Sequence, residues 1–244
     1  MTWVIFIACT IITIIAACLL TCECEIIQGI AMSIIAAYIF YIIMEFIPAL
    51  REERKKQSAM AITYRKLQLM LYCLDSLFVE PYCSVVGHEP KLSTDAFYEK
   101  EHLKTFLIGF DLTQNSDCVD ASGHMLPYSI YFFNVWERCQ KYANEALNTL
   151  YMQYDPELAY EVQYLLSDSS ICHYFNLYKL SLSTDYGNIL SLIQENSKFC
   201  EQHLHNIKVL HKKIFNLYDR LKRSKKFPNI YMPSFYSNTK EKLK

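Results

Sequence analysis

Two apolar stretches open the chain, and a helical rhythm of apolar and charged positions fills most of the remainder. Residues 2–22 (TWVIFIACTIITIIAACLLTC) and 26–44 (IIQGIAMSIIAAYIFYIIM) each match the roughly 20 residues a helix needs to cross a hydrocarbon core. Between Met1 and Met44 the only charges are Glu23 and Glu25, in a Cys22–Glu23–Cys24–Glu25 connection too short to fold as a loop. The pattern predicts a transmembrane helical hairpin over 1–48, with spans at about 3–22 and 26–47.

Pro48 is expected to end or kink the second span. Beyond it, Ala49, Met60, Ile62, Leu67, Leu69, Met70, Leu74, Leu77 and Phe78 interleave with charge and predict a helical stalk over 49–80. Pro81, Gly87 and Pro90 mark a loop over 81–94, and Ser93-Thr94-Asp95 starts a short helix to about Ile108. Residues 109–127 (GFDLTQNSDCVDASGHMLP) read as an irregular polar loop. An aromatic-rich helix is expected over 128–153 (Phe132, Phe133, Trp136, Tyr142, Leu147). Asp155-Pro156 pairs a capping Asp with a first-turn Pro, opening a helix to about Leu166. A break at Ser167–Ser170 precedes a helical segment over 171–182. In the last helix Ile189, Ile193, Cys200, Leu204, Ile207, Ile214, Leu217 and Leu221 keep three- and four-residue spacing. No alternating strands or glycine hairpins stand out. The expected fold is all-α: the transmembrane hairpin, then a cytosolic α-helical bundle over 81–226, then a basic and aromatic tail over 227–244.

Charge orients the chain. No Lys or Arg precedes Arg51, whereas Arg51, Arg54, Lys55, Lys56, Arg65 and Lys66 crowd the exit of the second span. The positive-inside rule keeps that flank cytoplasmic, and two spans then put the N-terminus there as well. Trp3 and Tyr41 fall at the inner ends of the spans, where amphipathic rings settle. A cleaved signal needs a basic n-region, absent here. Ile15–Ala16–Ala17–Cys18 is similar to a lipobox, but the missing basic n-region and the second span favour an uncleaved hairpin. Residues 49–244 hold all 24 basic residues and 22 of the 25 acids, a net of +2 that gives no global signal for nucleic acid. The 5 glycines form neither GxGxxG nor GxxxxGK[ST], and no GxSxG or HExxH occurs, which excludes common nucleotide-binding and hydrolase templates. The cysteines of the soluble part are irregularly spaced and predicted to lie in a reducing compartment, against a disulfide framework. Cys22 and Cys24 would sit at the outward tip.

Small residues at helical spacing, Cys9, Thr13 and Ala17 on the first span and Gly29, Ser33 and Ala37 on the second, let helix backbones approach. They either close the hairpin or mediate oligomerisation. Thr10, Thr13, Gln28 and Ser33 are the polar groups from which an oligomer would line a pore. Cys200, His203 and His205, with Cys118/His124 and Cys172/His173 as further ligands, lack paired zinc spacing. The helix histidines, His211 included, read as surface residues, and Asp117 and Asp120 as turn formers. No catalytic, cofactor or metal-ligating residue is assigned. The basic segment Arg220, Lys222, Arg223, Lys225 and Lys226, followed by Phe227, Tyr231, Phe235 and Tyr236, suits RNA or single-stranded DNA, an anionic membrane surface, or simply a cation-capped helix end. The last two together outweigh nucleic acid.

The segment Ser33–Pro48 (SIIAAYIFYIIMEFIP), followed by basic residues, resembles the second span of small bacterial proteins with two N-terminal spans and a cytosolic helical domain. Among these are the membrane effectors of retron antiphage systems. The resemblance covers about the first quarter of the chain and rests on hydropathy, Ser/Tyr/Pro placement and domain order. It implies an inner-membrane toxin, restrained by an inhibitory protein or ribonucleoprotein and released on infection, with the lipid bilayer and further copies of itself as partners. A membrane-anchored scaffold or sensor, binding a protein or nucleic acid, is the alternative.

Overall fold

The computed structural model describes residues 2–21, 24–107, 110, 114–119, 121–168, 172, 197–224 and 230. Cys22, Asp120, the segment 171–182 apart from Cys172, Ile189, Ile193, Lys225, Lys226 and the tail apart from Ile230 lie outside them. Among the described residues 82 % are helical and 4 % are in strands, so the all-α class holds. The chain divides into two compact units, Met1–Ser58 and Ala59–Lys244.

The first unit contains α1 (Thr2–Leu19), α2 (Glu25–Tyr41), a π turn (Ile42–Phe46) and the start of α3 (Ile47–Val86). The helices α1 and α2 touch: Thr10 and Tyr38 share a 2.6 Å hydrogen bond, and the ring of Phe6 stacks on that of Phe46 at 4.1 Å. Ala16 and Ala31, with 1 % and 0 % of their surface exposed, permit this approach. Pro48 neither ends the helix nor breaks it. A proline ring displaces the carbonyl four residues earlier and supplies no N–H. The widened π turn sits at that point and absorbs the mismatch, as such insertions do elsewhere.

The second unit holds the rest of α3, α4 (Thr94–Phe97), α5 (Lys100–Leu107), strands β1 (Asn115–Val119) and β2 (Met125–Pro127), α6 (Tyr128–Leu147), α7 (Tyr151–Tyr154), α8 (Pro156–Ser167) and α9 (Ser197–Arg223). Leu67, Met70, Leu71 and Leu74 of α3 meet Phe132 and Trp136 of α6, Val162 and Leu165 of α8, and Leu210 and Ile214 of α9 in one core. Expected caps are in place: Ser93 Oγ accepts from Ala96 N–H, and Asp155 Oδ1 accepts from Leu158 N–H at 3.1 Å. Two expectations fail. The helix predicted to stop at residue 80 runs through Pro81 to Val86. Pro81 and Tyr82 are buried, and the Tyr82 ring packs on Phe97 at 5.8 Å, which offsets the proline's lost hydrogen bond. Gly87, at φ +78°, then ends the helix, its N–H bonding Cys83 O at 2.8 Å. The segment expected to be an irregular loop contains the antiparallel pair β1–β2, turned at Gly123 (φ +82°) and tied by Ser116 Oγ donating to Leu126 O.

Candidate functional site

Two features of the described residues invite a functional reading: the surface of the first unit and a set of buried polar side chains in the second. In the first unit α1 and α2 carry almost no polar residues, so each helix is apolar on every side and one contact face cannot bury it all. Val4, Ile26 and Phe40 are 71 %, 75 % and 64 % exposed. One helix, Glu25–Val86, is long and apolar enough by length and composition to cross a membrane, and only 11 % of its most apolar stretch is buried, which separates it from the core helix of a globular protein. A shorter apolar helix, Val4–Leu19, precedes it.

The polar side chains Thr10, Thr13, Gln28, Ser33 and Tyr38 of these helices are bonded within the protein. Thr10 Oγ1 lies 2.7 Å from Phe6 O as well as beside Tyr38, Thr13 Oγ1 donates to Cys9 O, Ser33 Oγ donates to Gly29 O, and Gln28 Nε2 reaches Leu20 O at 3.5 Å. Cys9 and Thr13 are half-buried, whereas Ala17, Gly29, Ser33 and Ala37 are less enclosed, and nothing lies within 4 Å of a Cβ built on Gly29. The small residues most fully buried in this unit are Ala16 and Ala31. Cys24 is exposed.

Among the basic candidates, Arg51, Arg54 and Lys55 are exposed and Lys56 is half-buried. Arg220, Lys222 and Arg223 occupy the last turn of α9, where cations favour the negative end of the helix dipole. Arg220 donates to the Tyr151 hydroxyl at 3.3 Å, and the Lys222 ammonium lies 5.4 Å from the centre of the Tyr218 ring.

The second feature was not legible as a site. Asp75 on α3 has no exposed surface, a placement that costs several kcal/mol unless the carboxylate is bonded. Its Oδ1 accepts from the Tyr98 hydroxyl at 2.5 Å and lies 2.8 Å from His211 Nε2; a carboxylate only accepts, so the imidazole donates. Oδ2 has no hydrogen-bond partner among the described residues. The Tyr98 ring lies against the His211 ring at 5.5 Å. Nearby, burial, reinforced by Cys73 and Asp75, holds the Cys139 thiol well above its ordinary range, and its Sγ faces Met70 O. A neutral, bonded thiol is a poor nucleophile. The cluster is a tie joining α3, α9 and Tyr98, the residue that closes α4.

Further polar contacts bind α9 to α7 and α8 in antiparallel order. His203 Nδ1 lies 3.2 Å from the Tyr164 hydroxyl, Asn206 donates to Glu161 Oε2 at 2.6 Å, Lys213 pairs with Glu157, and Arg220 meets Tyr151. His203 and His211, expected at the surface, are therefore buried, because they sit on the inward stripe of α9 beside Leu204, Leu210 and Ile214. His205 alone of the three is exposed. Among the described residues no group of three or more His, Cys, Asp or Glu is placed to hold a metal ion. The chain matches no protein-family model, no curated protein and no solved structure.

Proposed function

We propose that this chain is a membrane-embedded effector of bacterial antiphage defence, whose apolar unit crosses the inner membrane twice and perturbs it when the helical unit is released from a restraining partner. The observation that carries the reading is the exposed apolar surface of α1 and α2, which only lipid or further apolar helices would cover. Lipid also explains the self-bonded hydroxyls, since hydrocarbon offers no hydrogen bonds to Thr10, Thr13 or Ser33. At 1.5 Å per residue the 18 residues of α1 extend about 27 Å, close to the hydrocarbon thickness. The basic flank from Arg51 onward gives cytoplasmic N- and C-termini. One helical pair has too little polar surface to conduct, so perturbation needs an oligomer, for which the face bearing Gly29, Ser33 and Ala37 is available.

A second reading, a membrane-anchored scaffold or sensor, is favoured by the same self-satisfied polar groups, which leave an isolated helical pair inert. Membrane potential separates the two. The full chain and a chain beginning at Ala59 are induced in bacteria loaded with a voltage-sensitive dye, with and without phage challenge. Depolarisation by the full chain alone supports the effector. A full chain that resides in the membrane and leaves the potential unchanged even under challenge refutes it and leaves the anchored scaffold.

A further inference from the structure

We infer that Arg51, Arg54 and Lys55 form a binding site for the phosphate groups of anionic phospholipids. This rests on the proposed membrane insertion of the first unit and names the lipid class it selects. At 3.6 residues per turn these three cations, with Ile47 and Ser58, share one side of the opening turns of α3, while Glu52, Glu53 and Lys56 lie on the other. All three are exposed, and none of their side chains has an ion pair or hydrogen bond among the described residues. Elsewhere in the chain several long cations are matched: Lys66 with Glu145, Lys213 with Glu157, and Arg220 with the Tyr151 hydroxyl. Glu52, three residues before Lys55, is the one carboxylate at helical pairing spacing to any of the three, so Arg51 and Arg54 have no acid placed to neutralise them within the helix.

Their position specifies the ligand. Ile47, one turn before Arg51, is exposed on the same side, and Ile43 and Met44 in the preceding π turn are exposed as well. A ligand with a phosphate next to a hydrocarbon chain satisfies both kinds of surface at once. The guanidinium groups of Arg51 and Arg54 accept a phosphate in the forked geometry that a lysine lacks, and Lys55 adds a point charge. A soluble phosphate would use the cations but leave Ile43, Met44 and Ile47 uncovered.

The test uses the full chain reconstituted into vesicles of phosphatidylcholine or of an equimolar phosphatidylcholine–phosphatidylglycerol mixture. Flotation reads insertion, and electron spin resonance of spin-labelled lipids reads which lipid is held at the protein surface. A cation near the surface contributes on the order of a fivefold preference, so the wild-type chain is expected to favour phosphatidylglycerol at least about fivefold. R51Q/R54Q/K55Q should insert equally well and lose the preference. The charge-matched variant K91Q/K141Q/K212Q should keep it, and inorganic phosphate should not displace the lipid. A wild-type chain that inserts without preference, a triple variant that retains the preference, a matched variant that loses it, or displacement by inorganic phosphate each overturns the site. A chain that fails to float with either vesicle overturns the membrane reading and the site with it.

Discussion

Isoleucine has opposite fates in helices α1 and α9. Ile12 and Ile14 in α1 are 53 % and 59 % exposed, whereas Ile207 and Ile214 in α9 are 1 % and 0 % exposed. The side chain is the same, so the difference lies in its neighbours. In α9 the apolar residues alternate at helical spacing with exposed Lys212, Asn216, Arg220 and Lys222, leaving one stripe to face inward and a charged side for water. In α1 there is no polar side, so no stripe is set aside for water. Hydroxyls bond to carbonyls of their own helix in both units, as Thr63, Ser76 and Ser167 do in the second. The bonds joining distant carboxylates, imidazoles and amides among the described residues belong to the second unit. Thr10, Thr13 and Ser33 bond mainly to carbonyls of their own helices, while Asp75, Glu161 and Tyr164 bond to partners far along the chain. The second unit is held by side chains bonded across helices; the first leaves most of its apolar surface exposed.

The comparison is broken most forcefully at His211. In His211→Ala the Asp75 carboxylate keeps only Tyr98, and a buried charge stripped of its partner typically costs about 3–5 kcal/mol. Denaturant unfolding of the full chain in detergent, followed by near-ultraviolet circular dichroism for packing and far-ultraviolet for helicity, should show that loss while the helicity of the first unit persists. A loss under about 1 kcal/mol would mean the pair behaves like an exposed one. A smaller effect probes the first unit. Ala31→Leu forces bulk into a fully buried contact and should destabilise the α1–α2 pair by about 1–3 kcal/mol. Ala37→Leu, on the exposed side, should change it by under about 0.5 kcal/mol. Both are measured as the detergent fraction at which the helices separate. The reverse ranking would move the contact to the Gly29/Ser33/Ala37 face.

Sequence pattern reveals these features unevenly, for physical reasons. Caps such as Ser93 and Asp155 act over three residues, and the α9 stripe repeats over many turns, so both are visible locally. The passage of α3 through Pro81 was hidden, because the compensating contacts of Tyr82 come from Phe97 and His102 on later helices. The β1–β2 pair hangs on five and three residues with an irregular register, too short for alternation to show. The Asp75–His211 pair joins residues 136 positions apart. Its one local trace is that His211 falls between Leu210 and Ile214, on the inward side of the helix.

The finest test of the second unit's internal bonding is Glu80, a half-buried acid on α3. Burial raises its pKa above the ordinary carboxylate value, repulsion from Asp117 raises it further, and the Tyr131 hydrogen bond partly opposes both. A carboxyl with a higher pKa folded than unfolded binds more protons in the native state. The stability it contributes is therefore present at low pH and is lost as pH rises from the unfolded value of about 4.3 through the folded one. At neutral pH an ionised Glu80 works against the fold. Glu80→Gln keeps the shape and a group able to bond Tyr131, so it should stabilise the unit by about 0.5 kcal/mol at neutral pH. Variant and wild type should converge as pH falls to about 4. Thermal melts across that range check the sign: a variant less stable than wild type at neutral pH would show that the carboxylate's bond to Tyr131 outweighs burial and Asp117 together.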